Sequence, residues 1–370
     1  MKVTRRLKLG SRLDRYVLSH FVGSYLSALF LMVGLFWILD MAANLDEFLE
    51  AAPDGTTAST LLIASYYLLN LPFLFLQVGP FVTLVAGMFT VTRLLKKNEI
   101  SPVLSAGVSV HRLLLPVFLA GAVLAAGMFF LRETTVENLA DRRDQLLDRL
   151  DEKRPERMYH DIVVHDLSGS MVFMDLFRPD ATPPAIQGFS AVLFVHSSGE
   201  TVKVRALSAT WDKQAKIWRL EDGHRTIIGD QMTTTPLETL EGFEFTPKLA
   251  LTYRRSRDHP LELSFGEIQE LMRREPDDSA FRTLWHYLLT FPLANLILLL
   301  VGLPLLFTYE RGRGTERMAF GGLLCIFYFA VDFVFRSLGL GGGLSPILAG
   351  WIPLLVVGSI GVALTDGIRT

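Results

Sequence analysis

The sequence predicts an α-helical membrane protein with six spans, three on each side of an inserted all-β domain that lies outside the cytoplasm. Three observations carry this. Six apolar runs, at 17–39, 60–92, 113–131, 284–308, 318–335 and 346–364, reach the length of about 20 residues that a bilayer requires. Between the third and the fourth lies a polar block of domain size whose short segments alternate apolar and polar residues. Lysine and arginine collect in segments that fall on one side of a six-helix count.

Composition agrees. The chain has 370 residues, half of them hydrophobic, and a mean hydropathy of +0.34. The net charge of −2 gives no general attraction to nucleic acid. Cys325 is the only cysteine and sits in an apolar run, which excludes a disulfide frame and a thiolate metal site. The first apolar run follows a basic head, as a signal peptide does. It is long, has no small-x-small cleavage site and ends in acids, so it is expected to be a retained helix.

Orientation follows from the cations. The head carries Lys2, Arg5, Arg6, Lys8, Arg12 and Arg15; the next basic segment carries Arg93, Lys96, Lys97 and Arg112; a third carries Arg311, Arg313 and Arg317. That side is expected to be cytoplasmic, with both termini on it. The 40–59 loop has Asp40, Asp46, Glu47, Glu50 and Asp54 and no base. It belongs outside, as does the block at 133–280.

The second apolar run is too long for one straight span, and Asn70, Pro72, Gln77, Gly79 and Pro80 interrupt it. A kinked packing helix is the plain reading, because proline removes a helical donor. A substrate-contacting role for these polar residues is the sharper one. After Leu131 a charged helical stretch runs to about Arg154. Then "DIVVHD", "GSMVFMDLF", "IQGFSAVLFVH", "ETVKVRALSATWD", "KIWRLEDGHRTII" and "TLEGFEFTPKLAL" read as strands of a sandwich or an open barrel-like sheet. Ser264 and Glu267 form a capping-box pattern ahead of Ile268, Leu271 and Met272, which predicts a short amphipathic helix leading back to the membrane. The domain division is therefore 1–132, a first membrane half; 133–262, the β-domain; and 263–370, the connector helix with a second membrane half.

No Gly-Lys dipeptide occurs, so the chain has no P-loop. His160, His165, His196, His224, His259 and His286 show no metal-ligand spacing, and no nucleophile–base set or paired carboxylate stands out. No cofactor or metal and no catalytic residue is expected. Energy for any transport must come from a partner or a gradient. A proton-driven transporter should carry buried acids in mid-membrane, and Asp332 is the one clear acid inside an apolar run. The rival of another class is a membrane anchor for a β-domain in envelope assembly.

Four stretches carry a resemblance: "LDRYVLSHFVGSYLSALFLM", "VGPFVTLVAGMFTVTRLLKKNEISPVLSAGVS", "LSATWDKQAKIWRLEDG" and "FYFAVDFVFRSLGLGGGLSPILAGWIP". The most specific part is N-E-I-S-P-V-L-S-A-G. Across nearly its whole length the chain resembles the LptF/LptG permeases, the membrane subunits of a lipopolysaccharide-exporting ABC transporter. The resemblance implies an inner-membrane location and a periplasmic β-jellyroll whose interior receives acyl chains. It implies four kinds of partner: a homologous permease subunit, a cytoplasmic ABC ATPase dimer that hydrolyses the ATP, a periplasmic jellyroll bridge protein and the lipid itself. It also implies a lateral gate lined by the first and fifth helices.

Residue by residue, the resemblance places a cytoplasmic coupling helix at about 93–107, with Glu99 as its acidic residue. Ile100, Val103 and Leu104 would be apolar anchors in a groove of the ATPase, and Ala106-Gly107 would allow the close turn into the third span. In the β-domain, Phe173, Phe177, Phe189, Phe194, Trp211 and Trp218 would fill or line the interior, with Phe194 and Trp218 as candidate lipid contacts. The chain departs from the family at the outer end of the first helix. Asp40, Asp46 and Glu47 stand where cations meet substrate phosphates, and a phosphorylated lipid is repelled there. Arg132 and Arg336 are the remaining basic candidates. Asp332, one turn before Arg336, is its alternative structural partner.

Overall fold

The computed structural model describes residues 11–49, 60–150, 158–167, 169–195, 200–228, 232–240, 245–308 and 314–367. Most of the basic head and the cations Arg311 and Arg313 lie outside them. The chain divides into two compact units. Unit 1 comprises Met1–Asn44, Asn70–Thr135 and Arg282–Thr370; unit 2 comprises Leu45–Leu69 and Val136–Phe281.

Among the described residues, six helices are long and apolar enough to cross a membrane. They are α1 (Arg12–Leu49), α2 (Thr60–Lys96), α4 (Val110–Leu131), α8 (Ser279–Thr308), α9 (Gly314–Leu340) and α10 (Pro346–Asp366). A short helix, α3 (Ile100–Ser105), joins α2 to α4. Pro72 and Pro80 both lie within a continuous α2, and Pro116, Pro292, Pro304 and Pro353 lie within other spans. Close packing by neighbouring helices sustains such interruptions.

The core of unit 1 draws on α1, α2, α4, α8, α9 and α10 together, with Phe21, Leu84, Val117, Leu298, Tyr328 and Val357 all buried in one cluster. Small residues let the helices approach. A Cβ on Gly87 would stand 2.6 Å from Leu299 Cδ2, and one on Gly121 would stand 2.8 Å from Leu299 Cδ1. The buried Asn295 of α8 donates to the Pro292 carbonyl at 2.8 Å, and its Oδ1 lies 2.6 Å from the Thr83 hydroxyl of α2.

Unit 2 holds α5 (Glu137–Leu150), preceded by a π-helical turn at Arg132–Val136, and, among the described residues, eight antiparallel strands. The strands are β1 (Tyr159–His165), β2 (Met171–Arg178), β3 (Ala185–Val195), β4 (Glu200–Asp212), β5 (Ile217–Glu221), β6 (His224–Ile228), β7 (Thr233–Pro236) and β8 (Thr239–Leu240). Their order is β1-β2-β3-β4-β5-β8. The sheet forks at β4: its first half pairs with β6 and its last residues with β5, while β3 runs along its other edge. This forked antiparallel sheet is the expected all-β insertion.

One expected strand ends in a helix, and its residues 241–244 lie outside the described residues. "TLEGFEFTPKLAL" yields the two residues of β8 and then α6 (Pro247–Asp258). The Thr246 hydroxyl caps Leu249 N–H, and Pro247 at the first helical position is already shaped for a helix. The amphipathic connector forms as expected: α7 (Phe265–Arg274) opens with a reciprocal capping box between Ser264 and Glu267, and it buries Ile268 and Leu271. Buried arginines tie these helices into unit 2. Arg143 meets Glu262 at 2.6 Å, Arg255 meets Glu267 at 3.1 Å and Asp141 at 3.2 Å, and Arg274 meets Asp166 at 3.3 Å. Tyr253, stacked on His165, has its phenol pushed well above the usual range by burial and by the Glu275 carboxylate.

Candidate functional site

The segment between α2 and α4 is built from two matching chain reversals. At the end of α2, Asn98 takes a left-handed conformation (φ +56°), Asn98 N–H bonds Leu95 O, and Glu99 N–H bonds Leu94 O. At the end of α3, Gly107 does the same (φ +77°), with Gly107 N–H on Leu104 O and Val108 N–H on Val103 O. Both are Schellman closures, which favour Gly or Asn at the left-handed position. They explain the spacing of Asn and Gly in N-E-I-S-P-V-L-S-A-G. They also shorten the expected 93–107 helix: Arg93 and Lys96 belong to the last turn of α2, and only Ile100–Ser105 is a separate helix. Pro102 sits in its first turn, where its missing N–H costs nothing.

The side chains of this segment divide. Ile100 is 5 % exposed and belongs to the core of unit 1, packed with Leu94, Val110 and Leu113. Within this chain its side chain is covered by that core. Val103 packs partly against the same core, and Leu104 is exposed. The Glu99 carboxylate accepts a 2.8 Å hydrogen bond from the Tyr16 hydroxyl of α1 and lies 3.9 Å from Lys97 Nζ. Beside it, Asp14 of α1 receives both guanidinium nitrogens of Arg112, at 2.6 and 2.7 Å.

The two basic candidates sit on different spans. Arg132 caps the end of α4 and is buried; Arg336 lies in α9. The Arg336 guanidinium lies over the Tyr287 ring, 4.5 Å from its centroid, and its Nη1 is 3.5 Å from Asp332 Oδ2. The structural pairing with Asp332 is thus present, alongside a cation–π contact. At the acidic end of α1, Asp40 lies within the helix, while the side chains of Asp46 and Glu47 fall outside the described residues.

The β-domain aromatics do not share one environment. Ile162, Met174, Phe177, Ile186, Phe189, Ala209 and Trp218 are all buried, in two cross-strand rows: Ile162, Met174 and Phe189 in one, Phe177, Ile186 and Ala209 in the other. Trp218 is only 1 % exposed; its indole N–H donates to Phe245 O at 2.9 Å, and its ring stacks on Phe245. It is a core residue of the β-domain. Phe173 and Phe194 lie on the pleat opposite Met174 and Phe189 and are exposed. Trp211 lines a cleft of about 800 Å³ together with Pro183, Lys213, Arg219 and Lys248. At that cleft, the Ala215 N–H, then the Arg219 guanidinium and the Gln214 N–H, hold the Asp212 carboxyl below the usual carboxylate range.

Sequence reasoning missed Tyr16, Asp14 and Tyr287. Ser11-x-x-Asp14 was readable as a helix start, but nothing local in the sequence announces contacts between residues 83 and 98 positions apart.

Among the described residues no group of acids, histidines and cysteine could hold a metal ion. A family model described as "Lipopolysaccharide export system permease LptF/LptG" matches residues 15–366. No curated protein matches the chain.

Proposed function

The chain belongs to the LptF/LptG family of lipopolysaccharide export system permeases, and from that premise we propose that it is one membrane subunit of an ATP-driven exporter. It extracts lipopolysaccharide or a related lipid from the inner membrane and passes it to a periplasmic bridge. It is a multi-pass inner-membrane permease; its cofactor-free role is to move lipid while an ATPase dimer hydrolyses the nucleotide. A second permease of similar fold completes the complex. The observation that carries the reading is the family match running through both membrane halves and the inserted β-domain.

The segment 93–107 is the docking surface for the ATPase. Its exposed Ser101, Leu104 and Ser105 face the partner, with Glu99 and Val103 half-buried beside them. A basic groove would meet Glu99 through a charge-assisted bond, and Gly107 sets the turn that returns the chain to α4. Arg132 and Arg336 are the cations offered to the lipid's phosphates. In the β-domain, Phe173 and Phe194 offer the exposed apolar surface for acyl chains. The acids near the outer end of α1 repel phosphate, so the second permease supplies cations or the lipid carries few phosphates.

The test is co-purification from detergent, with identification of bound subunits and lipid, followed by ATP-dependent lipid release from proteoliposomes. Recovery of an ATPase and of lipid supports the reading. Recovery of envelope proteins alone, without ATPase or lipid, makes the chain an anchor for its β-domain.

A further inference from the structure

Resting on the docking surface just described, we infer that the first turn of α1 is a mechanical relay. Asp14, Tyr16 and Arg112 act as positioning residues that carry movement of α3 into the first membrane helix.

Four observations lead there. First, the start of α1 is stiff. Ser11 N–H bonds Asp14 Oδ2 at 3.0 Å and Asp14 N–H bonds Ser11 Oγ at 3.3 Å, a reciprocal capping box. Second, the same Asp14 carboxylate takes both Arg112 guanidinium nitrogens in a partly buried fork. Fork geometry resists rotation, as a single exposed ion pair does not. Arg112 sits in the first turn of α4, where a positive side chain opposes the helix dipole and no acid of α4 offsets it. Its place there is explained by the partner on α1. Third, Tyr16, two residues on, holds Glu99, so the docking acid is itself tied to α1.

The fourth observation is the uneven cover of α1. Val17, Phe21, Tyr25 and Ala28 are buried against the core that includes Ile100. Beyond them, Phe30, Leu31, Leu35, Ile38, Leu39 and Met41 are all exposed. Within this chain the fully buried side chains of α1 end at Ala28, Met32 packs only partly on the core, and none from there to Ala43 is buried, so the helix is held most firmly in its first half and can act as a lever. At about 1.5 Å per residue, Ala43 stands about 44 Å from Asp14, so a tilt of about 5° at the grip carries it about 4 Å. Glu99 thus has two duties on its two oxygens: one toward the ATPase and one toward Tyr16.

The experiment uses the permease–ATPase complex in nanodiscs, in a Cys325→Ala background, with spin labels at Ala43 and on α10. In the parent, nucleotide should shift the label at Ala43. Asp14→Asn and Tyr16→Phe should keep ATPase binding and hydrolysis but abolish that shift, and lipid released per ATP should fall about tenfold, the scale of one lost charge-assisted bond. The pair Asp14→Arg with Arg112→Asp should recover part of both readouts. The inference is overturned if the shift and the lipid yield per ATP survive in Asp14→Asn and Tyr16→Phe. It is also overturned if assembly and hydrolysis fall in step with lipid release, which marks a merely structural role. A parent that hydrolyses ATP but releases no lipid sinks the export reading alone, since the label at Ala43 still decides the relay.

Discussion

Replacing Arg336 by glutamine separates a structural arginine from a substrate-binding one. Two interactions disappear. The guanidinium lies 4.5 Å from the Tyr287 centroid, a contact worth about 0.5–2 kcal/mol. It also lies 3.5 Å from Asp332, which is 6 % exposed. Removing one partner of a buried pair costs about 3–5 kcal/mol, because a charge stays behind without its counterion. The pair is longer than an ideal contact, so the lower end applies, and the expected loss is about 3–4 kcal/mol. The thermal midpoint in detergent should fall by roughly 10 °C, on a scale of about 2–4 °C per kcal/mol. Adding Asp332→Asn removes the stranded acid, so the double variant should regain all but the roughly 1 kcal/mol of the ring contact. Midpoints and bound lipid phosphate are measured for both singles and the double. If Arg336 also meets phosphate, Arg336→Gln loses lipid while Asp332→Asn keeps or gains it. A single variant as stable as the parent, or a double no better than the single, refutes the argument.

Glu99→Ala should lower lipid-stimulated ATP hydrolysis, and Glu99→Lys should do worse, since the lost contact is worth about 1.5–3 kcal/mol and a like charge then enters the groove; complex yield and ATPase rate check it, and a fully active Lys variant removes Glu99 from the interface. Trp218→Ala should destabilise the β-domain by about 3–5 kcal/mol, whereas Phe194→Ala should be near neutral in a denaturant melt yet reduce ATP-dependent capture by a neighbouring photo-crosslinker. Asp212→Asn should weaken the β4–β5 turn at neutral pH. The Asp212 pKa is depressed in the fold, so its contribution is present above the ordinary value of 3.8 and is lost as pH falls through the lower folded value. The gap between parent and variant in thermal midpoint should therefore close below about pH 4 and persist unchanged at pH 7.

The spans were legible because an apolar run long enough for a bilayer has few other uses, and β1 to β4 because Val, Phe and Met alternate with polar residues in them. Ser264 and Glu267 gave α7 through local chemistry alone. α6 was misread because Leu249 and Leu251 alternate like a strand, although Thr246-Pro247 is a helix start. The aromatics of the β-domain show the limit. Alternation tells that Phe173 and Met174 face opposite ways, but not which face is covered. Arg336 and Asp332, four apart on one helix, could be paired on paper; Tyr287, on another helix, could not. The length of the docking helix depended on Asn98 turning left-handed, a conformation Asn tolerates but does not demand.

The shared core of unit 1 has a consequence for biosynthesis. Thr83 meets Asn295, and Gly87 is shaped to receive Leu299, yet Val136–Phe281 must be translated between the two halves. At about 5–20 residues per second this is a wait of roughly 7–30 s, during which α1, α2 and α4 sit in the bilayer with their mating faces bare. The Thr83 hydroxyl is within 2.9 Å of its own helix's Gly79 carbonyl, so it has an acceptor throughout. The grooves at Gly87 and Gly121 do not fill until α8 arrives, which leaves the nascent first half open to capture by an insertion chaperone or by quality-control proteases.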